Sequence, residues 1–409
     1  MRACMVAYAF YEMDNRVRRY AETLARQGNQ VDAIAIGRTG QPSNEVINGV
    51  HVHRIQRRIV NEKSQLSYLF RLLLFFFKSS WFLTLKHLQG PYDLVHVHSI
   101  PDFEVFAAWF PKLKGSKVIL DIHDLVPELY ASKFGLSSDS LVKKLLIAVE
   151  RMSAAFSNHV IVANPIWREV LLSRSVKPEK CTAILNFPDP AIFHRNGRSR
   201  DDSKFILLYP GTLNQHQGVD VAIRAFALIR DQTPEAEFYI YGREPEEAAL
   251  RRLISQLGLQ DRVFVREPVS LNEIARIMEN SDLAVVPKRS NSFGNEAFST
   301  KIFEFMMLGV PVIVSETKID RYYFNDSVVR FFRSEDEKDL AVQMLKMIRD
   351  PNFRQLQIRT ATEFMKGNSW EEKKTEYLAL LHTLMGGRNG KPVSARDAKI
   401  EDPCARSRS

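Results

Sequence analysis

Short apolar runs alternate along the chain with stretches in which apolar residues recur every third or fourth position. Ala3 to Phe10 reads as a strand, a polar loop through Asp14, Asn15 and Arg16 follows, and Val17, Tyr20, Ala21 and Leu24 mark one face of a helix that ends near Gly28. Gln30 to Ile36, Leu94 to Val97, Lys117 to Ile122 and His159 to Ala163 read as further strands, with Ile184-Leu185 at the end of this series. Strand, helix, strand is the order of a parallel sheet, because parallel neighbours need a crossover and a helix is the usual one.

Between Asp189 and Ser203 the sequence turns polar, with Pro190, Asn196, Gly197 and clustered charges, the composition of a linker. The pattern then restarts. Strand Phe205 to Tyr209, a Pro210-Gly211 turn, helix Val219 to Ile229, strand Glu237 to Tyr241 and helix Glu247 to Leu257 predict a second α/β lobe. Strands Val263 to Val265 and Leu283 to Val286, a polar loop Lys288 to Ser299, helix Thr300 to Leu308 and strand Val312 to Ser315 continue it. The fold class is therefore α/β in two domains, 1–195 and 203–367, which suits a chain of 409 residues, too long for one growing core. Residues 386–409 are polar, with too few large apolar groups to offset the entropy of ordering, and are expected to be disordered.

Composition narrows the class. Cys4, Cys181 and Cys404 have no paired spacing, so neither a zinc site nor a disulfide framework is expected. The first residues run straight into a strand without the pattern of a signal peptide, and the expected location is cytoplasmic. A net charge of +9 favours an anionic ligand or surface. No basic and aromatic nucleic-acid motif stands out, and no nucleic-acid partner is expected. The apolar stretch Tyr68 to Leu85 is interrupted by Arg71 and Lys78, and its longest unbroken run, Leu72 to Phe77, is too short to cross a bilayer. With Arg57, Arg58 and Lys63 before it, the stretch is either a core helix with basic flanks or a helix lying on an anionic membrane surface.

The chemistry concentrates in Glu296-Ala-Phe-Ser-Thr-Lys-Ile-Phe-Glu304 and the Gly309-Val-Pro311 that follows. Ser299 is placed to cap the helix, Thr300 and Lys301 fall in its first turn, and Gly309 and Pro311 stop it. A helix N-terminus after a strand offers free amides and partial positive charge to a pyrophosphate, and Lys301 adds a full charge. A capped amphipathic helix with two solvated glutamates is the alternative reading of the same residues.

This stretch resembles the E-x7-E signature of the retaining glycosyltransferases of family 4, which have the GT-B fold of two Rossmann-like domains facing a cleft. The resemblance covers roughly residues 1–385. It implies that Glu304 binds the nucleotide ribose and that Glu296 lies beside the donor sugar. Tyr209-Pro-Gly211-Thr212-Leu-Asn-Gln-His216-Gln217-Gly218 resembles the family's G-R-L-x-x-x-K-G loop, with Thr212 and Gln217 in place of the Arg and Lys that clamp the diphosphate. Lys301, the helix amides and His216 are then left to meet that charge. Gly242 stands where the family brings the nucleotide base close to backbone, and Asn186 to Phe193 resembles the segment that ends the family's first lobe.

In Asp121-Ile-His123-Asp124 the resemblance assigns His123, at a strand's C-terminal end, a catalytic place facing the donor sugar. His96 and His98 alternate to one face of a strand and are read as structural or acceptor-side. Asp14, Asn15 and Arg16 are expected to line the acceptor side, and Ser369-Trp370-Glu371 to open a closing helix, about 368–385, that returns to the first lobe.

The implied activity is transfer of a sugar, with retention, from a nucleotide-diphosphate sugar to a glycan or polyprenyl-linked acceptor in surface polysaccharide assembly. The resemblance implies that neither a metal nor a cofactor is needed, and no well-placed Asp-x-Asp motif stands out to hold a metal. The expected location is cytoplasmic, with a peripheral place on the inner face of the plasma membrane if the stretch Tyr68 to Leu85 lies on lipid. The alternatives are a non-catalytic nucleotide- or membrane-binding scaffold of the same fold and a nucleotide-sugar epimerase.

Overall fold

The computed structural model describes residues 1–58, 65–135, 137, 139–197, 200–243, 245–291 and 293–386. Lys63 and the tail 387–409, for which disorder was expected, lie outside the described residues. The chain divides into two compact units. Met1–Asn186 forms the first together with the described residues from Lys374 onward, and Phe187–Lys373 forms the second.

The first unit runs β1 (Arg2–Phe10), α1 (Asn15–Arg26), β2 (Gln30–Gly37), β3 (Asn44–Ile47), β4 (Val50–Arg57), α2 (Gln65–Gln89) and β5 (Leu94–His98). It continues through α3 (Trp109–Leu113), β6 (Lys117–Ile122), α4 (Val126–Phe134), α5 (Leu141–Phe156), β7 (His159–Val162), α6 (Pro165–Arg174) and β8 (Cys181–Ala183). Its sheet has the order β3-β4-β2-β1-β5-β6-β7-β8, parallel except for the hairpin of β3 with β4. The middle strands are buried on both faces, as helices covering a parallel sheet require. The chain moves outward from β1 on one side, then returns to start β5 on the other. The C-terminal ends of β1 and β5 thus border a switch point, where open α/β sheets bind ligands.

The second unit runs β9 (Phe205–Pro210), α7 (Val219–Ile229), β10 (Ala236–Tyr241), α8 (Glu247–Gln256), β11 (Val263–Arg266), α9 (Leu271–Glu279) and β12 (Leu283–Val286). After these come α10 (Thr300–Leu308), β13 (Val312–Ser315), α11 (Lys318–Tyr323), β14 (Arg330–Phe332), α12 (Glu337–Arg349), α13 (Pro351–Met365) and α14 (Trp370–Met385). All six strands are parallel, in the order β11-β10-β9-β12-β13-β14, which places a second switch point between β9 and β12. From Lys374 onward α14 belongs to the first unit, where Tyr377 is fully buried.

The apolar stretch is neither wholly core nor wholly exposed. Helix α2 extends well past the apolar run and is, by length and composition, long and apolar enough to cross a membrane, yet only 22% of that span is buried. Leu72, Phe75, Ser79 and Leu83 form its buried stripe, and the Ser79 hydroxyl bonds the Phe75 carbonyl at 2.7 Å and the buried Glu104. One face is core and the opposite face is exposed.

Candidate active site

In the first unit, strand register builds a polar cluster at the sheet's C-terminal edge. His98 of β5 pairs in register with Asp121 of β6, so both side chains share a face, and His96 two residues earlier lies on it as well. Asp14 caps α1, its Oδ1 accepting from the amides of Arg16 and Val17, each at 3.1 Å. That start aims Arg16 inward: its Nε and Nη2 each donate to an Asp121 oxygen at 2.7 Å, and Nη1 donates to the Ile184 carbonyl at 2.8 Å.

His98 Nδ1 and His123 Nε2 lie 3.2 and 3.3 Å from Asp121 Oδ2, and 3.1 Å from each other. His96 Nδ1 meets the Tyr377 hydroxyl at 3.1 Å. Burial raises the Asp121 pKa, but Arg16 and the neighbouring histidines outweigh it and hold the carboxyl well below its usual range. Burial also drives His96 and His98 down, towards the neutral imidazole. His96, His98 and Asp121 bring three potential metal-ligand atoms within 4.8 Å, but Arg16 already engages both Asp121 oxygens, so the cluster is organised as a charge-compensated network.

Beside it lies a cavity of about 210 Å³ lined by Tyr8, Asp14, Arg58, Tyr68, His123 and Asp124 among others. His123, partly exposed, is the histidine of the cluster's outer side. With Nε2 turned to Asp121, its Nδ1 is the nitrogen left for the cavity. Of the three expected acceptor-side residues, Asp14 lines this cavity, Asn15 opens α1, and Arg16 is buried beneath as a support.

In the second unit three turns meet at the switch point. Gly211, at φ +144°, follows β9, and a Cβ there would fall 2.2 Å from Lys301 Cε. Gly242 follows β10, and a Cβ would lie 2.1 Å from the Gly211 carbonyl oxygen. Gly218, at φ +65°, ends the turn that carries His216 and Gln217, and a Cβ would meet the Pro287 oxygen after β12 at 2.0 Å. These glycines are therefore required for the close approach of the loops.

Lys301, in the first turn of α10, runs across this junction, with its ammonium 5.5 Å from the Tyr209 ring centre. Burial lowers its pKa, while Glu304 one turn along the same helix acts in the opposite direction. Ser299 stands at the N-cap position but makes no capping bond, and its buried Oγ has no partner among the described residues. Thr300 opens the helix beside it. Thr212 is exposed, and its carbonyl accepts from the Tyr209 hydroxyl at 2.9 Å. His216 Nε2 is 3.1 Å from Gln217 Nε2, and burial together with nearby Lys301 and Lys288 pushes His216 down to about 4, so it is uncharged at neutral pH.

The loop before α10 is held by groups the sequence did not single out. Lys288, 2% exposed, donates to the Ala297 carbonyl at 2.7 Å and pairs with the buried Asp320 at 2.9 Å. Lys318 donates to Glu296 at 3.0 Å, and the Lys318 amide donates to Asn295 Oδ1 at 2.8 Å. A lysine just past a strand's C-terminal end was the available signal for Lys288. Lys318 needed the fold, because its helix comes after the next strand.

The family description "Glycosyl transferase 4-like domain" matches residues 13–186, and "Glycosyl transferases group 1" matches 192–364. The chain is a GT-B-fold glycosyltransferase related to the family 4-like enzymes. It is similar to an uncharacterised glycosyltransferase of Methanocaldococcus jannaschii, 26% identical over 72% of this chain and 74% of that one. It is also similar to a GDP-mannose:cellobiosyl-diphosphopolyprenol alpha-mannosyltransferase of Xanthomonas oryzae, 24% identical over 72% of this chain and 75% of that one. Several other curated relatives are spanned over 37 to 60% of their length. Among solved structures, a sucrose-phosphate synthase from Thermosynechococcus elongatus superimposes with a TM-score of 0.76 at 17% identity, covering 95% of this chain and all of that one, which shows the shared GT-B fold.

Neither Thr212 nor Gln217 of the glycosyltransferase carries charge. Lys301 is the cation that its fold threads between the converging loops, and Gly211 makes room for it.

Proposed function

We propose that the chain transfers a glycosyl group from a nucleoside-diphosphate sugar, bound by the second unit, to a glycan or lipid-linked acceptor admitted by the first, with retention of configuration and without a metal. The observation that carries this reading is the approach of Lys301, Gly211 and the α10 N-terminus at the β9–β12 switch point. Negative charge grows on the departing diphosphate, so preorganised amides and Lys301 stabilise the transition state more than the ground state. Glu304 is assigned to the ribose, Gly242 to the approach of the base, and Ser299 Oγ and the Thr300 amide to phosphate oxygens. Glu296, held by Lys318, is assigned to the sugar hydroxyls, and His123 is the first unit's contribution to the reaction.

The acceptor class is supported by the Xanthomonas relative, whose name gives a diphosphopolyprenol acceptor. We place the reaction peripherally on the cytosolic face of a membrane, in surface polysaccharide assembly. Thr212 and Gln217 favour a second reading, a nucleotide-binding scaffold without activity.

A thermal-shift panel of UDP, GDP, ADP and their sugars, with and without EDTA, on wild type and Glu304→Ala tests the donor site. Stabilisation by one nucleotide, unchanged by EDTA and lost in the variant, is expected. No stabilisation by any nucleotide would overturn the reading. Binding without transfer to a membrane-lipid extract would favour the scaffold.

A further inference from the structure

Helix α2 is apolar on two opposite faces. Opposite its buried stripe, Phe70, Phe77, Trp81 and Leu88 are 66 to 68% exposed, and Leu73, Leu74 and Leu85 fill the spaces between them. A helix on a solvated surface puts polar residues there. The patch continues onto α3, where Trp109 donates its indole N–H to Ser80 Oγ at 3.1 Å while remaining 51% exposed, and Leu113 is 73% exposed.

Within the helix the charges have one sign. From Gln65 to Gln89 there is no Asp or Glu, whereas Arg71, Lys78 and Lys86 lie in the helix and Lys112 and Lys114 border Leu113. A contiguous apolar and aromatic surface with basic residues along the helix and beside Leu113 matches an anionic lipid leaflet, which takes up indole and aliphatic groups at the headgroup level and neutralises ammonium and guanidinium groups. A protein partner of matching shape would need an unbroken apolar face with an acidic rim.

The helix does not need to leave the fold to meet lipid. Its inner stripe stays packed, with Ser79 bonded to Glu104, so the outer stripe enters the interface with the helix lying flat. Tyr68, which lines the cavity beside His123, is followed directly by the exposed Leu69 and Phe70, so the cavity and the apolar face adjoin.

We propose that the outer face of α2, extended by Trp109 and Leu113, seats the first unit on an anionic bilayer and sets its cavity within reach of an acceptor anchored in that leaflet. This rests on the glycosyltransferase reading for the acceptor but not for the docking itself.

The test is flotation of the full chain at low salt with vesicles of phosphatidylcholine plus phosphatidylglycerol, and with phosphatidylcholine alone. Wild type is expected to float with the mixed vesicles and more weakly with the neutral ones. Phe77→Ser with Trp81→Ser, both exposed and so compatible with folding, is expected to lower the bound fraction about tenfold or more. Lys78→Glu is expected to weaken binding to the mixed vesicles alone. Each variant should keep the wild-type melting temperature and nucleotide-induced shift, so loss of flotation with the shift intact reports on the face and not on the donor site. Wild type that stays unbound, a double variant that floats as well as wild type, or a wild-type dimer that the double variant splits would each overturn the proposal.

Discussion

Arg16 and Asp121 form a buried fork in which two guanidinium nitrogens each donate to a different carboxylate oxygen at 2.7 Å, with side chains 3% and 0% exposed. Both histidines beside the pair depend on it. The carboxylate keeps its charge because Arg16 compensates it, and that charge fixes the Nε2 side of His123.

Asp121→Asn is expected to leave Arg16 buried without its counter-charge, which costs about 3–5 kcal/mol. The double variant Arg16→Met/Asp121→Asn should recover part of that loss, as chemical denaturation can measure. It should not recover transfer activity, since His123 is still without its carboxylate. Recovery of full activity would show that the pair serves stability alone.

Gly211→Ala places a methyl group where Lys301 Cε now runs and forces a strained backbone at φ +144°. Titration of nucleoside diphosphate by calorimetry is expected to show about a tenfold or greater loss of affinity, similar to Lys301→Ala, since a charge-assisted hydrogen bond contributes about 1.5–3 kcal/mol. The two changes together should cost little more than either one, because both remove the same ammonium from the site.

His216 is neutral above about pH 4. A bound diphosphate raises the pKa of a nearby imidazole, so binding takes up protons and tightens as pH falls from 7 towards 5. His216→Asn should bind about as well as wild type at pH 8 and show a flatter pH dependence below it. Parallel pH profiles for the two proteins would remove His216 from the diphosphate site.

Glu104 is pushed up from 4.5 to about 8 by burial, against the effect of its Ser79 bond. Its folded pKa lies above the unfolded one, so the native state holds a proton that the unfolded chain has lost between these values. The stabilisation is complete below about pH 4.5 and is lost as pH rises to about 8, with a slope of at most about 1.4 kcal/mol per pH unit from this group. Glu104→Gln is expected to flatten the decline in melting temperature across that window and to keep α2 in place through the same Ser79 contact.

Much of the fold was written in local periodicity. The strand Lys117–Ile122, helix Val219–Ile229, strand Leu283–Val286, helix Thr300–Leu308 and strand Val312–Ser315 have the same limits in sequence and structure, because turn residues punctuate each of them. The β3–β4 hairpin is closed by Asn48-Gly49, both at positive φ, so its turn was legible in the sequence, but three of the four β3 residues are exposed and no apolar periodicity marked the strand itself.

The sequence by itself determined which residues carry charge and where backbone freedom is available: Lys301 and Glu304 on one helix, Gly211 after a strand, His123 at a strand end. Tertiary structure alone decided their partners. Asp121 reaches Arg16 across more than a hundred residues through sheet register, Lys318 reaches Glu296 through the crossover that follows β13, and Lys301 is threaded past Gly211 by the order of parallel strands. The two faces of α2 make the same point: apolar residues occur all round that helix, and only the position of the sheet determines which of them are buried. Side-chain chemistry and helical spacing are local properties, whereas pairing across a sheet depends on strand order, which no short stretch of sequence contains.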